Sequence, residues 1–183
     1  AKNEDLFLKE KRIYELSQIE NGMPKVQPYQ IGFRLLTTLL QTYSGDIDAV
    51  IASLKDVKEE QKETLRRRCV CAWYWIKESA PDCAPDFCFT LREDGSKAED
   101  ISGEMLTAVR RVRDEVVPRL DTFAVDKECQ QAMYDIATEL GLESKALFTA
   151  LYHALIGKDQ GPRLASFFRI IGKEKLQKIL SVY

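Results

Sequence analysis

ALFTALYHALIGKDQGPRLASFFRIIGKEKLQKIL, running from Ala146 to Leu180, is the stretch that decides the fold. Its opening, ALFTALYHALI, is apolar almost all the way round a helix. The helix this predicts over residues 144–156 therefore belongs at the centre of a bundle, not on its surface. Gly157 ends it, and Gly161-Pro162 opens a further helix to about Ile171. After Gly172 a last helix follows over residues 173–182. Toward the N-terminus, residues 126–140 place Cys129, Ala132, Met133, Ile136, Ala137 and Leu140 on one stripe and stop at Gly141. Residues 101–119 form another helix with Met105, Val109, Val112 and Val116 on one face. Arg110 with Asp114 and Arg111 with Glu115 stand four apart on it, so these arginines are expected to be partly satisfied.

Residues 81–100, PDCAPDFCFTLREDGSKAED, lose the helical period, and the alternation of Phe87, Phe89 and Leu91 predicts a short extended piece. Before them, residues 58–79 form a long helix burying Leu65, Cys69, Ala72, Trp73 and Ile76, stopped by Pro81. Asp46 caps a short helix carrying Ile47, Val50, Ile51 and Leu54. Residues 29–43 follow helical spacing through Ile31, Leu35, Leu36, Leu39 and Leu40. Residues 2–20 mix charge with Leu6, Phe7, Leu8, Ile13 and Leu16 and read as helical up to the Asn21-Gly22 turn and Pro24. Helices with short connections and no credible sheet make an all-α fold, two small helical bundles in tandem, with 28–80 as the first subdomain, 81–100 as linker and 101–183 as the second.

With 183 residues and 45% hydrophobic content, the chain can bury a core without metal or disulfide staples. Five cysteines with no CxxC pair and a single histidine give no metal set, and the cysteines read as reduced thiols. No apolar run reaches membrane-spanning length, and neither a membrane partner nor a signal peptide is expected; the chain is read as cytoplasmic. The net charge of −2 is unevenly spread. Residues 145–183 carry Lys145, Lys158, Arg163, Arg169, Lys173, Lys175 and Lys178 against Asp159 and Glu174, a net +5 that leaves −7 on the rest. The basic end is where a polyanion would bind. Arg66, Arg67 and Arg68 wrap round their helix within reach of Glu59, Glu60 and Glu63, and are expected to form a solvated face.

No catalytic constellation is visible. His153 sits in an apolar helix with no carboxylate placed by sequence to pair with it, and reads as a structural or interface histidine. Neither GxGxxG nor GxxxxGK[ST] occurs. No catalytic residue, metal site or cofactor is assigned to this chain.

Three stretches, in order, resemble the class I lysyl-tRNA synthetases: RIYELSQ (12–18) followed by PYQIGFRLLTTLLQ (28–41); AWYWIKESAPD (72–82) with FCFTL after it; and the segment from Ala137 to Leu180. The GKDQGP core of the last is also similar to the C-terminal domain of glutamyl enzymes. The HIGH and KMSKS signatures of that family's Rossmann domain, which uses ATP and Mg2+, are absent from these 183 residues. The resemblance thus implies the C-terminal, non-catalytic portion of such an enzyme, with residues 1–27 as the segment connecting to the catalytic domain. It implies an α-helix cage receiving the anticodon loop of lysine tRNA, and no DNA. Two departures stand out: Gly32 where proline is expected, and a longer 81–91 linker.

The candidate tRNA-binding residues are aromatics and cations close together in these motifs. Arg34, with Tyr29 and Phe33 at the same helix start, is one set, and Lys158, Gln160 and Arg163 around the Gly157–Gly161 turn are the other. In the second set, backbone N–H groups and the helix opening at Pro162 can meet an anion. Each residue has a structural alternative: packing for Tyr29 and Phe33, a carboxylate partner for Arg34, plain helix punctuation for the turn. A helical protein-interaction module is the rival function; it would need an exposed apolar groove.

Overall fold

The computed structural model describes residues 2–16 and 26–183, and every regular element among them is helical. The turn expected at Asn21-Gly22 and Pro24 lies outside the described residues. Helix α1 (Lys2–Leu16) exposes Leu6, Phe7, Leu8, Ile13 and Leu16. Next come α2 (Phe33–Thr42), α3 (Ile47–Ser53) and the long α4 (Glu59–Glu78), which bury Leu36, Leu39, Leu40, Val50, Ile51, Leu65, Cys69, Ala72 and Ile76 together as one core. Asp46 caps α3 as expected, accepting from the Ala49 amide at 2.9 Å. The single turn α5 (Ala80–Cys83) holds Pro81 in its first positions, where the missing N–H costs nothing.

A 3-10 turn (Pro85–Phe87) and an extended stretch then lead to the second bundle: α6 (Gly103–Arg111), α7 (Asp126–Glu139), α8 (Ser144–Ile156), α9 (Leu164–Ile171) and α10 (Lys173–Leu180). Its core surrounds α8, whose Leu147, Ala150, Leu151, Ala154, Leu155 and Ile156 are all buried, as an almost wholly apolar helix demands. Cys69 and Cys129 are interred in the two cores, and burial pushes the Cys129 thiol up to about 11.

Three expectations change. The helix expected over 29–43 starts only at Phe33, because Arg68 takes up the carbonyls of Tyr29 (2.7 Å) and Ile31 (2.9 Å) and Gly32 is extended. Gly32 itself has φ −66°, proline's own value, so the departure from the family pattern costs no geometry. The helix expected over 101–119 loosens into a π-helical turn (Val112–Val116) and a 3-10 turn (Val117–Thr122), since Pro118 cannot donate to a regular ladder. The last change concerns arginine partners. Arg111 does pair with Glu115 (2.6 Å), but Arg110 donates to the Tyr183 carbonyl (2.6 Å), Asp114 pairs with Arg113, and Arg66 pairs with Asp48 across to α3. Among the described residues, no helix is long and apolar enough to cross a membrane.

Candidate nucleic-acid interface

The strap formed by residues 83–90 lies along the seam between the bundles, and α2 holds it there. Gln41, only 4% exposed, accepts the Phe89 amide at its Oε1 (2.7 Å) and donates from Nε2 to the Phe87 carbonyl (3.4 Å). From the other bundle, Phe89 meets Phe167 edge to face at 5.3 Å, and the Arg92 amide donates to the Leu155 carbonyl (2.8 Å). An amide side chain inside an amphipathic helix is tolerated here because both its polar atoms find backbone partners.

Beside the strap opens a cleft of about 520 Å3. Arg34 and Thr38 of α2 line one wall, Lys158, Gln160 and Gly161 the other, and Pro85, Asp86 and Phe87 the strap between them. Two sets of residues far apart in the chain, Arg34 on one side and Lys158 with Gln160 on the other, thus face one space. Arg34 is exposed and has no carboxylate partner among the described residues. Lys158 spans the cleft's edge, donating to the Pro85 carbonyl (2.7 Å), with further N–H donors left over. Phe33, 52% exposed, stands at the rim in an aromatic group: its ring is 6.5 Å from Phe87 with planes 14° apart, and Trp75 meets both edge-on at 5.3 and 5.6 Å.

The remaining two candidates lie elsewhere. Tyr29 packs against the first core, its hydroxyl donating to the Lys55 carbonyl (3.0 Å), so it braces the extended segment before α2. Arg163 is exposed at the residue preceding α9, outside the residues that line the cleft. Helix α9 begins two residues later than Pro162, whose carbonyl accepts the Tyr152 hydroxyl (2.7 Å). That bond pins the turn against α8.

The turn is fixed a second way. Gly157 adopts the left-handed conformation (φ 65°), and a Cβ there would come within 3.0 Å of the Arg92 guanidinium. His153 meets Asp159 through Nε2 (2.7 Å) and Asp100 through Nδ1. Burial of the ring lowers its affinity for a proton, but the hydrogen bonds to Asp159 and Asp100 outweigh that and hold the imidazole above its ordinary value. Two carboxylates on two ring nitrogens require both nitrogens to donate, so the arrangement selects the imidazolium. Neither carboxylate partner of His153 is apparent from helical spacing; Asp100 comes from the far end of the linker.

A family model for an anticodon binding domain matches residues 86–181, just over half of the chain. The chain belongs to the anticodon-binding domain family. This anticodon-binding-domain match takes in Phe87 of the strap and Lys158, Gln160 and Arg163, while Phe33 and Arg34 precede it. A lysine–tRNA ligase of Treponema pallidum (strain Nichols) is 49% identical over 184 residues, covering 100% of this chain and 34% of its own length. That of Borreliella burgdorferi (strain ATCC 35210 / DSM 4680 / CIP 102532 / B31) is 35% identical over 173 residues, 94% of this chain and 32% of its own. The enzyme of Thermococcus kodakarensis (strain ATCC BAA-918 / JCM 12380 / KOD1) is 34% identical over 187 residues, with 98% and 34% covered. The chain spans about a third of the length of these curated relatives. They bear out the resemblance to lysyl-tRNA synthetases carried by the three ordered stretches.

Phe87, Asp86 and Gln41 escaped sequence reasoning. Phe87 had a signal, its alternation with Phe89, but an extended piece without a partner does not disclose which helix it lies against. Gln41 and Phe87 are 46 residues apart.

Proposed function

We propose that this chain is the C-terminal anticodon-binding part of a class I lysine–tRNA ligase, in which residues 28–80 and 101–183 form two helical walls and residues 81–100 the linker that carries the strap between them. The whole protein attaches lysine to tRNA in the cytoplasm with ATP and Mg2+, chemistry that belongs to the portion outside these residues. The seam cleft receives unstacked bases of the lysine-tRNA anticodon loop. The observation that carries this reading is the convergence of Arg34 and Lys158 from different bundles on one cleft with an aromatic rim.

The chemistry fits a splayed single strand. Arg34 and Lys158 hold backbone phosphates, and Phe33 with Phe87 offers ring faces worth about 1–3 kcal/mol per stacked base. Gln160 and Asp86 supply a donor and acceptors for Watson–Crick edges, which loop nucleotides present when unpaired. Tyr29 and Arg163 serve from outside the cleft, the first by bracing α2 and the second as an outlying cation on the strand's path.

Fluorescence anisotropy of an end-labelled lysine-tRNA anticodon stem-loop tests this. Binding should weaken as salt rises, and Arg34→Ala or Lys158→Ala should each weaken it about tenfold, about 1.4 kcal/mol. Thermal stability should stay unchanged for Arg34→Ala. Equal affinity for a hairpin with a replaced anticodon would refute base recognition. A second reading, a protein-docking module, draws on the five exposed apolar residues of α1; it predicts a partner held with little salt dependence and indifferent to Arg34.

A further inference from the structure

The strap has a second side. There Ser44, Trp73 and Lys77 border a cleft of about 570 Å3 that shares Gln41, Phe89 and Lys158 with the first. Trp73 is half-buried and fixed from below: Gly45, at φ +84°, lies so close that a Cβ on it would meet the indole at 2.4 Å. No side chain but hydrogen fits there, so the ring packs directly on backbone. One turn along α4, the Lys77 ammonium sits 5.0 Å from the ring centroid, a cation–π contact on an exposed surface. Among the described residues, the lining of this cleft holds two cations, Lys77 and Lys158, and no carboxylate.

A firmly seated aromatic ring with cations beside it and no opposing acid is the chemistry by which proteins carry a single nucleic-acid strand. Lys158 belongs to both clefts, so a strand that crosses the strap beside it has one nucleotide on each side. We propose that this cleft is a second nucleotide subsite, where Trp73 stacks a base adjacent in sequence to the one held by Phe33 and Phe87, and Lys77 swings off the ring to neutralise the neighbouring phosphate. The inference rests on the assignment of the first cleft to the anticodon loop.

The protein has two tryptophans, Trp73 lining the second cleft and Trp75 packed edge-on against Phe33 and against Phe87 of the first, and they report separately. Trp75→Phe leaves Trp73 as sole emitter, and Trp73→Phe leaves Trp75. With the lysine-tRNA anticodon stem-loop bound, as anisotropy of its end label shows, Trp73 emission should be quenched. Hairpins made abasic at one loop position at a time should abolish the Trp73 response at a position next to the one that abolishes the Trp75 response. In the wild-type background Lys77→Gln should weaken binding about three- to tenfold and reduce the slope of log affinity against log salt by about 0.7. A bound hairpin that leaves Trp73 emission unchanged overturns the second subsite alone, as does a Lys77→Gln protein with unaltered affinity and slope. A hairpin that does not bind at all removes the first assignment and this one together. Equal quenching of Trp73 by poly-glutamate overturns the subsite by showing a mere anion site.

Discussion

The two bundles hide their helices by different means. In the second, the buried face of α8 is apolar, and Phe167 and Phe168 help complete a core in which the Tyr183 hydroxyl, at its edge, accepts the Ala98 amide (2.7 Å). In the first, α2 alone buries four polar side chains, Thr37, Thr38, Gln41 and Thr42. Thr37 and Thr38 return their hydroxyls to the carbonyls of Phe33 and Arg34 at 2.8 Å, and Gln41 grips the strap. The polar half of α2 faces the seam instead of water. Under the proposed function α2 both closes a core and presents a binding wall, and it keeps hydrogen-bonding capacity that a purely structural helix discards, part of it unused.

The contrast can be broken most forcefully through the second core. Phe168→Ala should cost about 3–5 kcal/mol, since a fully buried ring leaves a cavity. If that core anchors the seam, hydrogen exchange of α2 amides should accelerate in this variant, whereas Leu40→Ala in the first core should leave α8 protection intact. Symmetrical effects would show one undivided cooperative unit. Next in size is Gln41→Leu, which strands the Phe89 amide and should cost about 1–3 kcal/mol in urea unfolding. It should also weaken hairpin binding by releasing the strap. Thr42 tests the unused capacity directly: its hydroxyl is buried, 1% exposed, with no partner among the described residues. Thr42→Val should raise stability by about 1 kcal/mol, read as a higher melting temperature.

The smallest effect concerns pH. The His153 proton is held above the ordinary imidazole value of about 6.5, so its stabilising contribution is complete below that pH and is lost as pH rises through the elevated folded value. Asp100 is held below the usual carboxylate range by its hydrogen bond to His153, so its share is present above about pH 4 and lost on acidification through the lowered value. Because both carboxylates are well exposed, the total should stay under about 1 kcal/mol. Urea midpoints from pH 5 to pH 9 should fall on the alkaline side, and His153→Gln should flatten that limb. An unchanged limb would show that the imidazolium does not hold the turn.

Much of this molecule can be read from local pattern. The helix stripes, the central place of α8, the Asp46 cap and the basic end follow from spacing and charge, because burial along a helix repeats every few residues and needs no knowledge of the partner. Arg34, Lys158 and Gln160 were also nameable as members of short motifs. That they line one cleft was not. Their meeting depends on how two bundles pack across a strap, and on a few contacts between residues dozens of positions apart, such as Gln41 with Phe87 and His153 with Asp100. Such contacts are chosen by the shape left over once both cores have closed. The sequence alone therefore determined the helices and their charges, while only the tertiary structure decided which polar groups face the seam, where Tyr29 withdraws to a bracing role and Phe87 becomes half of the aromatic rim.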